Sequence, residues 1–318
     1  MKAVAFQRYG GPDVLRVHEL PDRHADPGEV RIRVRAAAVS PADSLIRTGA
    51  AVALLQGPPP HIPGLDAAGV VDEMGPGTRT RLAVGDHVIA LVNPTRPAGG
   101  AYAEHVVLPA AFVVKAPRGT DHAHASTLPL NGLTARRALD LLDLAPGQVL
   151  AVTGAAGGVG GFAVQLAKAQ GLTVVADASA ADEPLVSALG ADAVVRRGRE
   201  VAERIREVVP GGADGLLDAA AIGGALPGAL RDGGAMAVVR GPAEPEAGAA
   251  RDGRGITFHS VYVHTYDGRH DILDRLARQA EEGTLTLRVA RTYPMEQADQ
   301  AHRALEGGGI RGRLVLDF

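Results

Sequence analysis

The 318-residue chain is predicted to be an α/β protein with a doubly wound parallel sheet and a separate β-rich region. From about residue 119 onward, apolar strand-like runs alternate with helical segments, which is typical of parallel sheets covered by helices. A glycine-dense turn joins the first of these strands to its helix. Before residue 118, short alternating runs are separated by Gly and Pro turns, which predicts β structure. The predicted domains are residues 1–118 with 265–318, and residues 119–264.

The β-rich region is clearest at residues 29–35, where apolar side chains occupy every second position, as in a half-buried strand. Further strands are predicted at 70–71, 86–90 and 105–108. In the parallel region, strands are predicted at 149–152, 172–176, 193–195 and 215–219, with helices after Gly160 and at 182–189 and 200–208. The last sixty residues add a strand at 256–263, a helix at 271–281 and a closing strand at 313–316.

The turn after residue 152 predicts a binding site for a dinucleotide. The spacing Gly154-x-x-Gly157-x-x-Gly160 lets backbone approach a pyrophosphate, and the helix that follows offers N–H groups and a positive dipole end. A tight turn without a ligand is the alternative, but the preceding strand and following helix are the context that the fingerprint requires. The residues predicted to carry the pyrophosphate are Gly154, Ala155, Ala156, Gly157, Gly158, Val159 and Gly160.

Composition narrows the function classes. The net charge of −3 provides no general attraction to nucleic acid or to an anionic membrane, so neither is an expected partner. The chain has no cysteine, which excludes disulfides, thiolate nucleophiles and cysteine-ligated zinc. No run approaches the roughly 20 apolar residues of a membrane span, and the N-terminal residues lack the apolar stretch of a signal peptide. We therefore expect a cytoplasmic enzyme.

The strand after the phosphate-binding helix ends at Asp177, 17 residues after Gly160. An acidic residue about 20 residues after the glycines commonly hydrogen-bonds the adenosine ribose. No lysine or arginine occurs between Ala169 and Val195 to read a 2′-phosphate, so the local charges favour NAD(H). A solvent-facing carboxylate at a strand end is the alternative for Asp177. Ala178 and Ser179 are predicted cofactor contacts as well, and the hydroxyl of Ser179 is a candidate to bond a 2′-phosphate, together with an arginine from Arg196-Arg197.

The order of motifs resembles, almost end to end, the medium-chain dehydrogenase/reductase superfamily in its zinc-independent, quinone-oxidoreductase-like branch. The matching segments are residues 1–4 (MKAV), 10–15 (GGPDVL), 27–30 (PGEV), 63–71 (PGLDAAGVV), 84–88 (VGDHV), 99–105 (GGAYAEH), 132–135 (GLTA), 154–160 (GAAGGVG) and 189–192 (LGAD). The resemblance implies a GroES-like catalytic domain, a Rossmann domain and a cleft between them that holds a nicotinamide cofactor.

The chain departs from the zinc-dependent pattern of this superfamily. Ser40 stands where those members have a cysteine, and Leu65-Asp66 stands where they have a His-Glu pair. Zinc-independent members often have Asn at the position of Ser40 and Tyr at that of Leu45, so the pocket is expected to be less polar here. No metal site is predicted. The resemblance implies NADP(H), which most zinc-independent members use, while the residues around Asp177 favour NAD(H), and both cofactors stay open.

The resemblance also assigns further cofactor contacts. Thr134 is placed near the nicotinamide with Asn131 beside it, although Thr134 also has the character of a helix N-cap. Ala219 and Ala220 follow a strand end where ligands of open α/β sheets bind, and tight packing explains their small size equally well. Arg240, after the next strand, is a candidate for a 2′-phosphate.

Hydride transfer without zinc needs an acceptor that is already activated, together with a donor for the oxygen that becomes anionic. Ser40 is the best donor by position and Asn131 is the second candidate, so both are predicted as catalytic; an ordinary turn hydroxyl before Pro41 is the alternative for Ser40. A structural hydrogen bond is expected for Asp43. Other candidates to line the pocket are Ser44, Tyr262 and His264. Residues 196–199 are expected to form a solvated face.

The prediction is an NAD(P)H-dependent, zinc-independent reductase of quinones or α,β-unsaturated carbonyls, whose partner is a small electrophile. One alternative is a cofactor-binding protein with little turnover, similar to zeta-crystallin; another is a tailoring enoyl reductase of a biosynthetic pathway. Residues 256–263 are predicted to form an edge strand that pairs across a homodimer, as the family resemblance implies.

Overall fold

The computed structural model describes residues 1–239, residues 253–318 and the backbone of residues 250–251. The chain divides into two compact units. Unit 1 comprises Met1–Leu130, Asp267–Glu281 and Leu287–Phe318, and unit 2 comprises Asn131–Tyr266 and Glu282–Thr286. Each unit contains a hydrophobic core of its own.

The strands in chain order are β1 (Lys2–Ala5), β2 (Arg16–Glu19), β3 (Glu29–Val39), β4 (Asp66–Met74), β5 (His87–Leu91), β6 (His105–Pro109), β7 (Val113–Lys115), β8 (Val149–Thr153), β9 (Thr173–Ala178), β10 (Ala193–Arg196), β11 (Ala213–Asp218), β12 (Leu230–Val239), β13 (Ala250–Arg251), β14 (Thr257–Val261), β15 (Val289–Pro294) and β16 (Arg313–Asp317). The α-helices are α1 (Pro41–Thr48), α2 (His122–Ser126), α3 (Pro129–Leu142), α4 (Gly158–Ala169), α5 (Glu183–Ala188), α6 (Val201–Val208), α7 (His270–Glu281) and α8 (Ala298–Gly307).

Unit 1 is built on a sheet of order β15-β16-β3-β4-β5-β7, with β6 also paired to β3. All of these pairs are antiparallel except β15 with β16. In β3 the alternating residues Val30, Ile32 and Val34 are at most 1% exposed and lie in the core. The alternation in the sequence thus identified the buried face of the central strand, and the predicted β-rich region is confirmed.

Unit 2 contains a sheet of order β10-β9-β8-β11-β12-β14-β13, which is parallel from β10 to β14. Leu150, Ala151 and Val152 of β8 are fully buried, as expected for a central strand covered on both faces. The register pairs Val152 with Ala176 of β9 and with Leu217 of β11. The carboxyl ends of these three strands therefore lie side by side, and the predicted doubly wound sheet is confirmed.

One prediction about this sheet is wrong. The strand at 256–263, observed as β14, was expected at the sheet edge, but β13 lies outside it and pairs antiparallel with it at Thr257 and Phe258. A two-residue strand cannot show the alternation by which strands are recognised, so the sequence held no sign of it.

The helices predicted at 182–189, 200–208 and 271–281 are confirmed as α5, α6 and α7. Residues 196–199 are exposed, as expected. Throughout the part of the chain that the structure describes, no helix combines the length and the apolar character that crossing a membrane requires.

Candidate functional site

The glycine turn lies between the end of β8 and the first turn of α4. Gly154 has φ of +69°, a conformation that favours glycine, and the N–H of Gly157 donates to its carbonyl at 2.9 Å. A Cβ on Gly160 would lie 2.3 Å from the Gly154 oxygen, so only glycine lets the helix begin this close to the turn. The first-turn N–H groups of a helix have no carbonyl partner within it, and here they adjoin the turn. The local geometry fits a bound pyrophosphate.

Asp177, at the end of β9, is attached directly to this turn. Its Oδ1 accepts hydrogen bonds from the N–H of Gly154 at 2.7 Å and of Ala155 at 3.4 Å. Asp177 is 5% exposed, so the alternative of a solvent-facing carboxylate is wrong. Burial raises the pKa of its carboxyl, while the two N–H groups and Arg197 oppose that rise. Within the described part of the chain, its Oδ2 receives no hydrogen bond.

The loop after β11 contacts the same turn. A Cβ on Gly154 would lie 3.1 Å from the nitrogen of Ala220 and 3.2 Å from the carbonyl carbon of Ala219. The loop is shaped by Asp218, a fully buried carboxylate that sequence reasoning did not single out. Its four donors, at 2.8–3.2 Å, are the hydroxyl of Thr153 and the N–H groups of Ala220, Ile222 and Gly223. The structure thus brings together Gly154–Gly160, Asp177, Ala219 and Ala220.

The remaining residues predicted to contact the cofactor differ in their surroundings. Ala178 is buried, and Ser179 is half-buried and donates to Asp182 Oδ2 at 2.5 Å. Asn131 and Thr134 are 8% and 5% exposed within α3. Because α3 begins at Pro129, Thr134 lies inside the helix, and the N-cap alternative for it is wrong. Arg240 lies outside the described residues.

Ser40, predicted as a catalytic donor, is the N-cap of α1 in unit 1. Its Oγ accepts from the N–H of Ala42 at 3.2 Å, and its own N–H donates to Asp43 Oδ2 at 2.8 Å, which forms a capping box. Ser40 is 3% exposed. The hydroxyl is therefore held in one orientation by the helix terminus, while its proton remains available to donate.

Asp43 is fully buried beneath Ser40, and the structural role expected for it is confirmed. Its Oδ1 accepts from the N–H of Gly64 at 2.7 Å, and its Oδ2 also lies 3.2 Å from the hydroxyl of Tyr102. Burial raises the pKa of Asp43 to about 7, against the lowering effect of the Gly64 and Ser40 N–H groups. Tyr102 lies 3.3 Å from His302, and neither residue was identified from the sequence as part of this region.

The other pocket candidates are dispersed. The hydroxyl of Ser44, on α1, donates to Glu306 at 3.2 Å. Tyr262, in unit 2, is 51% exposed and its ring meets that of His264 edge-on at 5.5 Å.

Asp66 occupies the position of the zinc-binding His-Glu pair of zinc-dependent relatives, and its surroundings do not fit a zinc ion. Its Oδ2 lies 2.7 Å from Arg313 Nη2, and its Oδ1 accepts from the N–H of Leu130 at 2.6 Å. Both side chains are buried, so the arginine already neutralises this carboxylate. Burial raises the pKa of Asp66 and Arg313 opposes that rise. Among the described residues, no group of three or more His, Asp or Glu side chains has an arrangement that could hold a metal ion.

Comparison with known proteins agrees with this architecture. The alcohol dehydrogenase GroES-like domain family matches residues 26–118, and the zinc-binding dehydrogenase family matches residues 189–316. A 2-haloacrylate reductase from a Burkholderia species is 30% identical, covering 99% of this chain and 98% of the relative. A chloroplastic NADPH-dependent alkenal/one oxidoreductase from Arabidopsis thaliana is 31% identical, covering 99% of this chain and 79% of the relative.

Solved structures have the same fold over the whole chain. An NAD-dependent alcohol dehydrogenase is 30% identical with a TM-score of 0.87, and covers 100% of both chains. The quinone oxidoreductase from Coxiella burnetii is 27% identical with a TM-score of 0.85, covering 100% of this chain and 99% of the other. These likenesses extend from end to end and agree with a GroES-like and a Rossmann fold. The chain is therefore an oxidoreductase that belongs to the medium-chain dehydrogenase/reductase superfamily, in its quinone-oxidoreductase-like branch.

Proposed function

We propose that the chain is a zinc-independent reductase that transfers hydride from a reduced nicotinamide dinucleotide to quinones or α,β-unsaturated carbonyls. The observation that carries this proposal is the glycine turn, where Gly154 lies against both Asp177 and the loop after β11. The relatives support the acceptor class, since their names include a haloacrylate reductase, an alkenal/one oxidoreductase and a quinone oxidoreductase.

The cofactor supplies the hydride, so the protein has to bind it, orient it and stabilise charge on the acceptor. The N-terminus of α4, beside the turn, would hold the pyrophosphate, because the first N–H groups of a helix and its dipole favour anions. Conjugate reduction places negative charge on the acceptor oxygen, which a hydroxyl donor stabilises. We propose Ser40 as that donor, since the capping box fixes its Oγ and leaves its proton to donate. Asn131 is the second proposed donor.

We propose NADH as the preferred cofactor. The Asp177 carboxylate is fixed against the turn by Gly154, and its Oδ2 is suited to accept from a ribose hydroxyl. A 2′-phosphate at this place would meet a carboxylate, and like charges at close range repel. The relative that is named for NADPH and the structure that is named for NAD show that both cofactors occur in similar proteins. The charge at Asp177 is what supports NADH in this proposal.

The cofactor proposal is tested by dissociation constants for NADH and NADPH, measured on the native chain and on Asp177→Ser. We expect the native chain to bind NADH at least tenfold more tightly, a difference of about 1.4 kcal/mol, and Asp177→Ser to reduce or reverse that preference. Glu207→Ser is the matched control, because it removes an acidic side chain from an exposed position on α6. A native preference for NADPH, or an unchanged ratio in Asp177→Ser, would contradict the role of Asp177.

The proposal of zinc independence is supported by Asp66, whose carboxylate is paired with Arg313 and is therefore not free to bind a metal ion. We expect metal-depleted protein to retain its activity, and added zinc to leave the activity unchanged. Metal analysis of the purified chain, with activity before and after chelation, provides the measurement. Stoichiometric zinc whose removal abolishes activity would exclude this part of the proposal.

The activity is tested by following oxidation of NADH and NADPH with a panel of quinones, enones and 2-haloacrylates. We expect steady turnover with at least one class, and a lower kcat in Ser40→Ala. If the chain binds a nicotinamide cofactor tightly but reduces no acceptor, the alternative of a cofactor-binding protein with little turnover is correct. If it binds neither cofactor, the interpretation of the glycine turn fails.

A homodimer remains part of the proposal. Among the described residues, β14 and the two-residue β13 form one end of the unit 2 sheet, and we propose strand pairing at that end as the dimer contact. Light scattering should then give twice the chain mass of 32.6 kDa, and a mass of one chain would exclude the dimer.

A further inference from the structure

Unit 1 contains a buried row of three ionisable side chains, and the proposed reaction uses neither Tyr102 nor His302. Tyr102 lies in the middle, with its hydroxyl 3.2 Å from Asp43 Oδ2 and 3.3 Å from His302 Nε2. All three residues are 0% exposed, and they come from sequence positions separated by 59 and 200 residues. The His302 ring also meets the Tyr102 ring edge-on. We call this row the Asp43–Tyr102–His302 chain.

The Asp43 end of this chain is attached to the backbone around Ser40. Asp43 accepts from the N–H of Ser40, the N-cap of α1, and from the N–H of Gly64. Hydrogen bonds to a carboxylate are about twice as strong as bonds between neutral groups. The protonation of Asp43 therefore changes how firmly it holds the start of α1.

The Tyr102 hydroxyl has one proton for two neighbours, so it donates to one of them and accepts from the other. When Asp43 is ionised, Tyr102 donates to Asp43 and His302 Nε2–H donates to Tyr102, which leaves a lone pair on His302 Nδ1. When Asp43 is protonated, it donates to Tyr102, and Tyr102 donates to His302 Nε2, which places the imidazole proton on Nδ1. The Nδ1 atom is buried without a hydrogen-bond partner among the described residues, so neither arrangement is blocked by a third group.

The charges around the chain allow the carboxyl to titrate while the other two members stay neutral. Burial and the charge of Asp66 raise the pKa of Asp43 to about 7, and Arg313 opposes them. Burial and the charge of Arg47 lower the pKa of His302 to about 3. Burial and the carboxylate of Asp43 raise the pKa of Tyr102 well above its usual value. Arg47 is itself paired with Glu306 and Asp66 with Arg313, so these neighbouring charges are compensated in pairs.

We propose that the Asp43–Tyr102–His302 chain is a reversible proton relay, in which Asp43 takes up a proton as both hydrogen bonds reverse and His302 changes tautomer, and that Asp43 is thereby a pH-dependent positioning residue for Ser40. The protonated state differs from the ionised state by one proton taken from solvent: His302 carries a proton on Nδ1, the former Nε2 proton is on Tyr102, and the former Tyr102 proton is on Asp43 Oδ2. Each of the two inner groups gains one proton and loses one, and no electrons are transferred. The net step is the protonation of one carboxylate.

The test is a pH titration of the full chain by NMR from pH 5 to pH 9. It uses ¹⁵N-labelled protein, with the histidine signals assigned by comparison with His302→Phe. We expect the Nδ1 and Nε2 signals of His302 to exchange their protonated and lone-pair character, while the ring stays neutral. The backbone N–H signals of Ser40 and Gly64 should shift with the same midpoint, near pH 7, because they report the charge on Asp43. These NMR signals do not depend on catalysis, so they test the relay even if the chain has no reductase activity.

Tyr102→Phe separates a relay from a merely structural cluster, because it removes the hydroxyl that couples the two ends. In this variant Ser40 and Gly64 should still respond to Asp43, whereas His302 should keep a single tautomer across the range. Tyr293→Phe is the matched control, since Tyr293 is buried in the same unit and its hydroxyl contacts Arg291 instead. A His302 tautomer that never changes in the native chain would overturn the relay. So would a tautomer change that persists in Tyr102→Phe, or Ser40 and Gly64 signals that titrate at a different pH from His302.

Discussion

The closest approach in the glycine turn makes Gly160→Ala the sharpest test of the cofactor site. The added methyl carbon would lie 2.3 Å from the Gly154 oxygen, 2.7 Å from the Gly154 carbonyl carbon and 2.9 Å from Ala155 Cα. All three atoms belong to the backbone of the turn, so no side chain can rotate away to relieve the clash. The turn and the first turn of α4 have to separate.

These distances give the expected loss of stability and of NADH affinity. Non-bonded carbon atoms pack favourably at about 3.5–4.0 Å, so the separation has to grow by about 1 Å. Overpacking of this kind costs about 1–3 kcal/mol of unfolding free energy. The same displacement moves the N–H groups that would hold the pyrophosphate, so we expect NADH affinity to fall at least tenfold, or about 1.4 kcal/mol.

Two measurements on purified protein test this prediction. Urea unfolding gives the free-energy change, and the fluorescence of reduced nicotinamide gives the dissociation constant, which is aided by the absence of tryptophan from the chain. Gly211→Ala is the matched control, because a Cβ there has no atom within 4 Å. Both substitutions lower the entropy of the unfolded chain, and alanine also favours the helix at position 160, so a larger loss of stability in Gly160→Ala reports the clash. If Gly160→Ala matches Gly211→Ala in stability and in NADH affinity, the reasoning from the close approach is refuted.

Three further predictions concern single side chains. The pKa of Asp43 in the folded chain, about 7, lies above its ordinary value of 3.8, so its contribution to stability is complete below about pH 4 and is lost as pH rises through 7. At about 1.4 kcal/mol per pH unit this loss reaches about 4 kcal/mol, and unfolding of Asp43→Asn from pH 4 to 8 should lack it; an unchanged pH dependence would contradict the burial of an ionising Asp43. Ala221 has φ of +54°, so Ala221→Gly should raise the melting temperature by relieving up to about 1 kcal/mol of backbone strain. Ala220 does not have a positive φ, so Ala220→Gly relieves no strain and should lower the melting temperature. Ser40→Ala should cost about 1 kcal/mol of unfolding free energy through loss of the cap, and Ser40→Thr should retain most of it; equal losses would argue against the capping role.

The fold and the cofactor turn were predictable because their signals are local. The alternation in β3, the apolar run of β8 and the three glycines each occupy a few consecutive residues, and each has a direct steric or burial meaning. The position of Asp177 followed from its spacing after Gly160, although its two hydrogen bonds to the turn depend on the pairing of β9 with β8. The short strand β13 was missed because two residues carry no periodicity.

The predictions that failed at single residues did so for a related reason. Threonine is common at helix N-caps, yet α3 begins five residues before Thr134, at Pro129. The bounds of a helix depend on what it packs against, and the local sequence does not show this. Asp218 was passed over because an aspartate at a strand end looks the same whether it faces solvent or holds a loop through four hydrogen bonds.

Composition and local patterns were enough to predict the class of fold, the dinucleotide turn and the lack of cysteine ligands for zinc. The surroundings of Asp66 and Asp43 depend on how the chain packs. Arg313 reaches Asp66 across 247 residues, and His302 reaches Tyr102 across 200. Such partners leave no pattern in the chain, because side chains so far apart in sequence meet only after the strands and helices that carry them have packed.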